Sequence, residues 1–397
     1  MLATGTTALA ADIGSNGGVT ETTETSITIK KEITAYNPFG STVNAPSITY
    51  SYSIASPGEA SKTITDSNNV SVGTVAGPAG ATITSSITWD AGTTDDQMKT
   101  ATAGEANYKT ITADFSGVTF PAAGVYRYVI TETATYTNTG VVDGGDHTRY
   151  LDVYVKNSTT EGKYEIYGYA CFKYNNNIDG RSDAATSDTV TKAVKTEGFV
   201  ANSNTADNHT TDKYYTYNLT VGKTLSGDAG MNSHQFPFGI AFTGSETGVL
   251  PIISGDAGTK PTWNAKGTMS SFNCTADEAA KLKIANGQTV TITGIPVGTS
   301  VVINEKNDVT GTTYKSASSG ADTNAGDISI ATGITSNDAK VNAQTAGSVA
   351  DKTVTFTNTL ELISPTGVVL RIAPYALMLA AGIAFLFISV RRRNAAD

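Results

Sequence analysis

The sequence predicts an all-β protein made of two tandem β-sandwich domains, and three observations support this prediction. Short runs of Thr, Val, Ile and Tyr alternate with turns rich in Gly, Asn and Asp throughout the 397 residues, a pattern typical of strands joined by turns. Residues 12–366 show no extended helical periodicity, apart from a candidate short helix over residues 275–283. The third observation is an internal repeat.

The repeat pairs two segments of the first half of the chain with two segments of the second half. Residues 27–33 (ITIKKEI) match residues 219–225 (LTVGKTL), and residues 128–132 (YVITE) match residues 301–305 (VVINE). Both pairs occur in the same order in each half. The chain therefore contains two copies of one β domain.

The domain boundaries follow from this repeat. We expect a first domain at residues 12–205, a linker at 206–212 and a second domain at 213–362. Each domain is long enough to bury a sandwich core. Residues 1–11 and 363–397 flank the two domains and carry signals of a different kind.

One lysine and one glutamate fall on the interior face of each predicted domain. Side chains along a strand alternate between its two faces, so Lys31 shares a face with the apolar residues around it, and so does Glu132. Lys223 and Glu305 occupy the matching positions of the second half. The sequence therefore predicts a buried Lys–Glu pair in each domain.

An asparagine on the closing strand of each half completes the set. In the second half this residue is Asn358, which shares a face with the apolar residues of its strand. The first half has two candidates, Asn202 and Asn176. We prefer Asn202, because residues 198–202 lie directly before the second domain, as Asn358 lies directly before the C-terminal segment.

A buried lysine, glutamate and asparagine can react with one another. Burial lowers the pKa of a lysine and raises that of a glutamate, which favours the neutral form of both. The neutral amine can then attack the carboxamide while Glu132 or Glu305 polarises its carbonyl and shuttles protons. Ammonia leaves, and an isopeptide bond joins the first and last strands. The alternative is a buried ion pair, but the repetition of the set favours the covalent bond.

The C-terminal segment has three parts. Residues 363–367 read Ile-Ser-Pro-Thr-Gly, an apolar stretch follows at 372–390, and three arginines come next. This stretch is long enough for a transmembrane helix, whose basic end would stay in the cytoplasm. The layout resembles a sortase sorting signal, in which the bond between Thr366 and Gly367 is cut and the threonine carbonyl passes to an amine. The usual Leu-Pro-x-Thr-Gly motif is altered, since isoleucine replaces leucine and proline directly precedes threonine. An ordinary single-span anchor is the alternative.

The N-terminal residues 1–11 are uncharged and end in small residues that fit a signal-peptidase site. We interpret them as the remnant of a signal peptide, with a free N-terminal tail as the alternative. The segment 12–366 lacks four arginines and Asp397, so the net charge of −9 becomes −12. Such acidity argues against nucleic acid as a partner. Both ends and the charge therefore point to a secreted protein.

The remaining residues indicate neither an enzyme nor a metal site. The three histidines are scattered without ligand spacing, and no Ser/His/Asp set or phosphate-binding glycine loop stands out. We expect no cofactor and no catalysis beyond the intramolecular bond formation. Cys171 and Cys274 fall in different halves, so no disulfide within a domain is expected.

Together these motifs resemble the major (backbone) pilins of Gram-positive pili, most of all the streptococcal T-antigen type. The resemblance rests on residues 126–132, 219–223, 356–358 and 365–368. It implies immunoglobulin-like domains of the CnaB type, each closed by a Lys–Asn bond beside a glutamate. Carried over to this chain, the bonding and promoting residues are Lys31, Glu132 and Asn202, then Lys223, Glu305 and Asn358.

The resemblance also implies covalent assembly at the cell surface. A pilin sortase would join Thr366 to a lysine of the next subunit, with Lys195 as the expected acceptor and Lys192 as the alternative. The implied partners are identical subunits, the pilin sortase, a housekeeping sortase that attaches the fibre to peptidoglycan, minor pilins and a host ligand. A monomeric wall-anchored adhesin built from the same domains is the alternative function.

Overall fold

The structure is a computed structural model, and it describes most of the chain outside several loops and the two ends. The described residues are 11–12, 20–57, 62–65, 71–90, 96–136, 140–145, 147–173, 195–201, 211–227, 233–243, 252–256, 282–306, 314–324, 326, 328–330, 335–359 and 365–393.

The described residues before position 202 form what we call the first unit. Its strands are β1 (Ala11–Asp12), β2 (Thr20–Glu21), β3 (Ser26–Tyr36), β4 (Val43–Asn44), β5 (Ile48–Ala55), β6 (Lys62–Thr65), β7 (Ser71–Ala76), β8 (Thr82–Ile83), β9 (Ser86–Trp89), β10 (Gln97–Met98), β11 (Glu105–Asp114), β12 (Gly124–Ala134), β13 (Val141–Val142), β14 (Thr148–Asn157), β15 (Tyr164–Phe172) and β16 (Gly198–Phe199).

The described residues from position 211 to 359 form the second unit, and one helix follows it. The elements are β17 (Asp212–Ser226), β18 (Gln235–Thr243), β19 (Ile252–Gly255), β20 (Lys283–Ala285), β21 (Thr289–Pro296), β22 (Ser300–Lys306), β23 (Tyr314–Ser319), β24 (Ile328–Ile330), β25 (Thr335–Val341), β26 (Lys352–Thr359) and α1 (Pro365–Arg393). The predicted all-β fold class is thereby confirmed.

The first unit is a sandwich of two sheets. In one sheet β3 pairs with β11, and β11 pairs with β8. The other sheet has the order β2-β15-β14-β12-β5-β9. Alternating side chains of both sheets are buried together in one apolar core, which includes Ile29, Ile111, Ile130, Leu151 and Tyr169.

The second unit repeats this arrangement with its own core. One sheet contains β24, β23, β26, β17, β21 and β19, and the other has the order β20-β18-β22-β25. The buried apolar side chains between them include Val221, Phe238, Ile292, Ile303 and Phe356. The strands that carry the predicted lysines, β3 and β17, therefore occupy matching positions in the two sandwiches.

Strand β17 connects the two units. Its first four residues pair in parallel with the end of β3, from Asp212 opposite Ile33 onward, and its later residues pair in parallel with β26. At the junction, the amide of Asn37 donates to the side chain of Thr216 at 3.0 Å. Positions 206–210 of the predicted linker lie outside the described residues. Its last residue, Asp212, is the first residue of β17.

Two other predictions concern helices. Positions 275–281 of the candidate helix at residues 275–283 lie outside the described residues. Its last residue, Lys283, is the first residue of strand β20. Helix α1 covers the predicted span at 372–390, and the described side chains of that span are exposed. Within the part of the chain that the structure describes, no helix has the length and apolar character needed to cross a membrane.

Candidate functional site

Lys223, Glu305 and Asn358 meet in the core of the second unit. Lys223 lies opposite Phe356 in the parallel pairing of β17 with β26, and Asn358 lies two positions further, opposite Leu225. Glu305 reaches the same place from β22 in the facing sheet. All three side chains are almost fully buried, and the structure brings these three candidate residues together.

Glu305 contacts both of the other side chains. Its Oε1 atom is 3.6 Å from Nζ of Lys223 and accepts a hydrogen bond from Nδ2 of Asn358 at 2.6 Å. Its Oε2 atom accepts a hydrogen bond from Oγ of Ser316 at 2.7 Å. The carboxylate is therefore placed to move a proton between the amine and the amide nitrogen.

The surroundings of Lys223 favour its reactive form. Burial lowers the pKa of its amine to about 8, although the charge and hydrogen bonding of Glu305 act in the opposite direction. The ring of Phe236 lies 4.7 Å from Nζ and helps to exclude water. A useful fraction of the amine is therefore neutral near physiological pH, and a neutral amine is a nucleophile.

Lys31 and Glu132 form the matching pair in the core of the first unit. Nζ of Lys31 lies 2.7 Å from Oε1 of Glu132, and both side chains are buried. The hydroxyl of Tyr52 donates to Oε2 of Glu132 at 2.7 Å, and the ring nitrogen Nδ1 of His147 lies 3.3 Å from Oε1. The predicted Lys–Glu pair is thus present in this unit as well.

A buried aspartate that sequence reasoning missed also contacts Lys31. Nζ of Lys31 lies 2.9 Å from Oδ2 of Asp212, which is also buried. The same Oδ2 atom accepts hydrogen bonds from the hydroxyls of Tyr50 at 2.6 Å and Tyr136 at 3.1 Å. The backbone N–H of Gly144 donates to Oδ1 at 2.7 Å. Both carboxylate oxygens of Asp212 are therefore held by donors.

The charge of Asp212 follows from these contacts. Burial alone would raise the pKa of its carboxyl, but the charge of Lys31 and the hydrogen bonds from Tyr50 and Gly144 outweigh burial, and the pKa is lowered. Burial and the nearby charge of Asp212 also raise the pKa of the Tyr50 hydroxyl well above its usual value. Asp212 is therefore held as a carboxylate, 2.9 Å from the amine nitrogen of Lys31.

The other candidate residues are only partly described. Asn202, Asn176 and Lys192 lie outside the described residues. Lys195 is half-buried and forms an isolated bridge with Phe172 at the end of β15. Cys171 is a buried free thiol, and Cys274 lies outside the described residues. Thr366 and Gly367 lie in the first turn of α1, and their side chains are not described.

Comparisons with known proteins find similar sequences and structures. A family described as a domain of unknown function (DUF7601) matches residues 217–360, which is nearly the whole second unit. A protein named Pilin from Streptococcus pyogenes serotype M1 is 27% identical over 296 residues, which cover 74% of each chain. The resemblance to streptococcal pilins is confirmed.

Two solved structures that align with this chain are described as major pilins. The major pilin protein T3.2 of Streptococcus pyogenes serotype GAS13637 aligns with 16% identity and a TM-score of 0.42, covering 87% of this chain and 100% of that chain. Another major pilin from Streptococcus pyogenes aligns with 20% identity and a TM-score of 0.37, covering 84% of this chain and 98% of that chain.

Proposed function

We propose that this chain is the shaft subunit of a sortase-assembled pilus and that an internal isopeptide bond reinforces its second unit. The observation that carries the proposal is the buried set of Lys223, Glu305 and Asn358, which lies between the first and last strands of that unit. The likeness to the streptococcal Pilin supports the assembly into a fibre.

The proposed bond forms between Nζ of Lys223 and Cγ of Asn358. As it forms, the bond from Cγ to Nδ2 breaks and ammonia leaves, with one hydrogen of the amine ending on the departing nitrogen. Glu305 accepts that proton and passes it on, so the carboxyl is not consumed. When Glu305 is protonated, a 180° turn of the amide presents the Asn358 carbonyl oxygen to it. That oxygen is buried without a hydrogen-bond partner among the described residues.

The bond would suit a protein that carries tension. Strands β17 and β26 are parallel neighbours, so a pull on the ends of the unit shears the hydrogen bonds between them. A covalent bond between Lys223 and Asn358 closes the sandwich across that pair. Extension of the unit then requires breakage of a covalent bond, while loss of hydrogen bonds alone is insufficient.

The strand directions favour head-to-tail assembly. Strands β16 and β17 both run parallel to β3, and β26 runs parallel to β17. Lys195 precedes β16 near the start of this ladder, and Thr366 follows β26 beyond its far end. About 20 strand positions separate the two ends, or roughly 65 Å at ~3.3 Å per residue. A contact between opposite ends does not close on itself and therefore gives an open fibre.

Removing the acceptor lysine tests assembly directly. In an immunoblot of wall extracts, the wild-type chain should give a ladder of high-mass bands that resists boiling in detergent. Lys195→Ala should abolish this ladder because the threonine carbonyl has no amine to join, and Lys192→Ala should leave the ladder unchanged. The amount and solubility of the monomer report whether each variant folds.

Two outcomes would contradict parts of this proposal. A wild-type cell that shows only a single band would contradict polymerisation and support a monomeric wall-anchored adhesin. A ladder that persists when Lys195 and Lys192 are both replaced would show that another lysine is the acceptor.

A further inference from the structure

We propose that the first unit is closed by an isopeptide bond between Nζ of Lys31 and Cγ of Asp212, formed with loss of water and promoted by Glu132. This inference deepens the proposed function, because it rests on the same chemistry of a buried amine. It differs in the acceptor, which is a carboxylate in place of a carboxamide. It also differs in place, because the acceptor lies on the strand that opens the second unit.

The strand register supports the assignment of Asp212. Asp212 lies opposite Ile33, which is two positions after Lys31 on β3. Asn358 lies opposite Leu225, which is two positions after Lys223 on β17. Both pairings are parallel, so the two acceptor positions are equivalent with respect to their lysines.

The path of the preceding segment explains why the acceptor comes from a later strand. Strand β16 pairs with β3 through Gly198 opposite Lys30 and Phe199 opposite Lys31. At Ala201 the chain is no longer in a strand, and its backbone N–H donates to Oε2 of Glu32 at 3.0 Å. The edge of β3 next to Ile33 is therefore left for β17 to occupy.

The contact between the two reacting groups is already close. Nζ of Lys31 lies 2.9 Å from Oδ2 of Asp212 and 2.7 Å from Oε1 of Glu132. The ring of Tyr50 lies 4.1 Å from the same Nζ atom. Groups held at such distances in a dry site react as an intramolecular pair, without the entropic cost of an encounter.

The hydroxyls around the site distinguish it from the second unit. Tyr52 pairs with Glu132 across β5 and β12, and Phe238 pairs with Glu305 across β18 and β22. Two positions earlier on these strands, Tyr50 and Phe236 lie next to the lysines of their units. The first unit thus has tyrosine hydroxyls where the second unit has phenylalanine rings. Hydroxyl donors suit a carboxylate acceptor, because both of its oxygens accept hydrogen bonds.

These donors suit the reaction of a carboxylate. As Lys31 attacks Cγ, negative charge develops on the oxygens of Asp212. The N–H of Gly144 is aimed at Oδ1, and the hydroxyls of Tyr50 and Tyr136 are aimed at Oδ2. Fixed donors that stabilise developing charge are a main source of rate acceleration in acyl transfer.

The atoms and charges of the reaction balance. A proton that passes from Nζ of Lys31 to Oδ2 of Asp212 across their 2.9 Å contact leaves a neutral amine, which is the nucleophile, and a carboxylic acid. The Nζ–Cγ bond forms and the Cγ–Oδ2 bond breaks. Two of the three ammonium hydrogens leave with that oxygen as water, and the third remains on the amide nitrogen. Glu132 accepts a proton from the amine and returns it to the leaving oxygen.

The bond would connect the two units covalently. Lys31 lies on β3 of the first sandwich, whereas Asp212 and Lys223 both lie on β17. Tension would therefore enter β17 through Asp212 and leave it through Lys223. The hydrogen bonds at the junction between these points would be protected in the same way as those within each sandwich.

The experiment is peptide mapping by tandem mass spectrometry of the folded recombinant full chain and of three variants. In the wild type we expect a branched peptide that joins Lys31 to Asp212, with a mass one water below the sum of its two peptides. Asp212→Asn should give a branched peptide of identical mass, because loss of ammonia from asparagine yields the same amide. Asp212→Ala should give only linear peptides at Lys31, and Lys213→Ala, a change at the next position of β17, should keep the bond.

The peptide joining Lys223 to Asn358 is read in the same digest, so the two units are tested separately. Folded wild-type protein whose Lys31 peptide is linear, with the Lys223–Asn358 peptide branched, would overturn this inference and leave the proposed function intact. A branched peptide from Lys31 to Asn202 or Asn176 would also overturn it. Linear peptides at both lysines would instead contradict the bond on which the proposed function depends.

Discussion

Replacing Asn358 with alanine is expected to lower the free energy of unfolding of the second unit by about 5 kcal/mol. The variant cannot form the bond to Lys223, and that bond closes a loop of roughly 140 residues, for which loop-closure entropy predicts a contribution of this size. In this variant Lys223 also remains an uncoupled amine in the core beside Glu305, and the amide of Asn358 is missing. Guanidinium unfolding, followed by the fluorescence of the tyrosines, measures the change.

The matched control is Thr357→Ala, one position earlier on β26, where the side chain points away from the core site. This variant should keep the bond and change the stability by less than about 1 kcal/mol. An Asn358→Ala variant that unfolds at the same denaturant concentration as the control would contradict a covalent closure of the second unit.

Replacing Glu305 with alanine is expected to block the same bond although both bonding residues remain. Glu305 lies 3.6 Å from the amine of Lys223 and accepts a hydrogen bond from the amide of Asn358. Without it, no side chain in the described site carries the proton from the amine to the leaving nitrogen. The variant should be one ammonia heavier than expected for a cross-linked chain and should be cleaved sooner by protease on heating.

Glu132→Ala serves as the control from the other unit. It should keep the bond from Lys223 to Asn358 and lose the one proposed for Lys31, so the two variants should show opposite patterns in a digest. A Glu305→Ala chain that still yields the branched peptide at Lys223 would show that another group promotes the reaction.

The sequence alone was sufficient to predict which three side chains the structure brings together in the second unit. Lys223, Glu305 and Asn358 each lie in a short strand segment with clear alternation, and a strand's period of two determines which face a side chain takes. Residues 27–33 and 128–132 repeat the segments that contain Lys223 and Glu305. The same alternation therefore placed Lys31 and Glu132 on the interior face of the first unit. Local patterns were enough because the alternation within each strand shows which side chains face the core.

Asp212 could not be predicted in this way because its role depends on pairing between distant segments. The edge of β3 is completed first by Gly198 and Phe199 and then by β17, which begins at Asp212. No local pattern shows where the chain leaves that edge or where it returns. One signal was present in the sequence, namely Tyr50 and Tyr52 at the positions where the second unit has phenylalanines, since buried hydroxyls require partners.

We propose that the second unit is closed by loss of ammonia and the first unit by loss of water. The most direct test is the intact mass of the folded full chain, measured under denaturing conditions so that only covalent bonds remain. We expect a mass lower than the calculated value by one ammonia plus one water. A folded chain with the full calculated mass would contradict it.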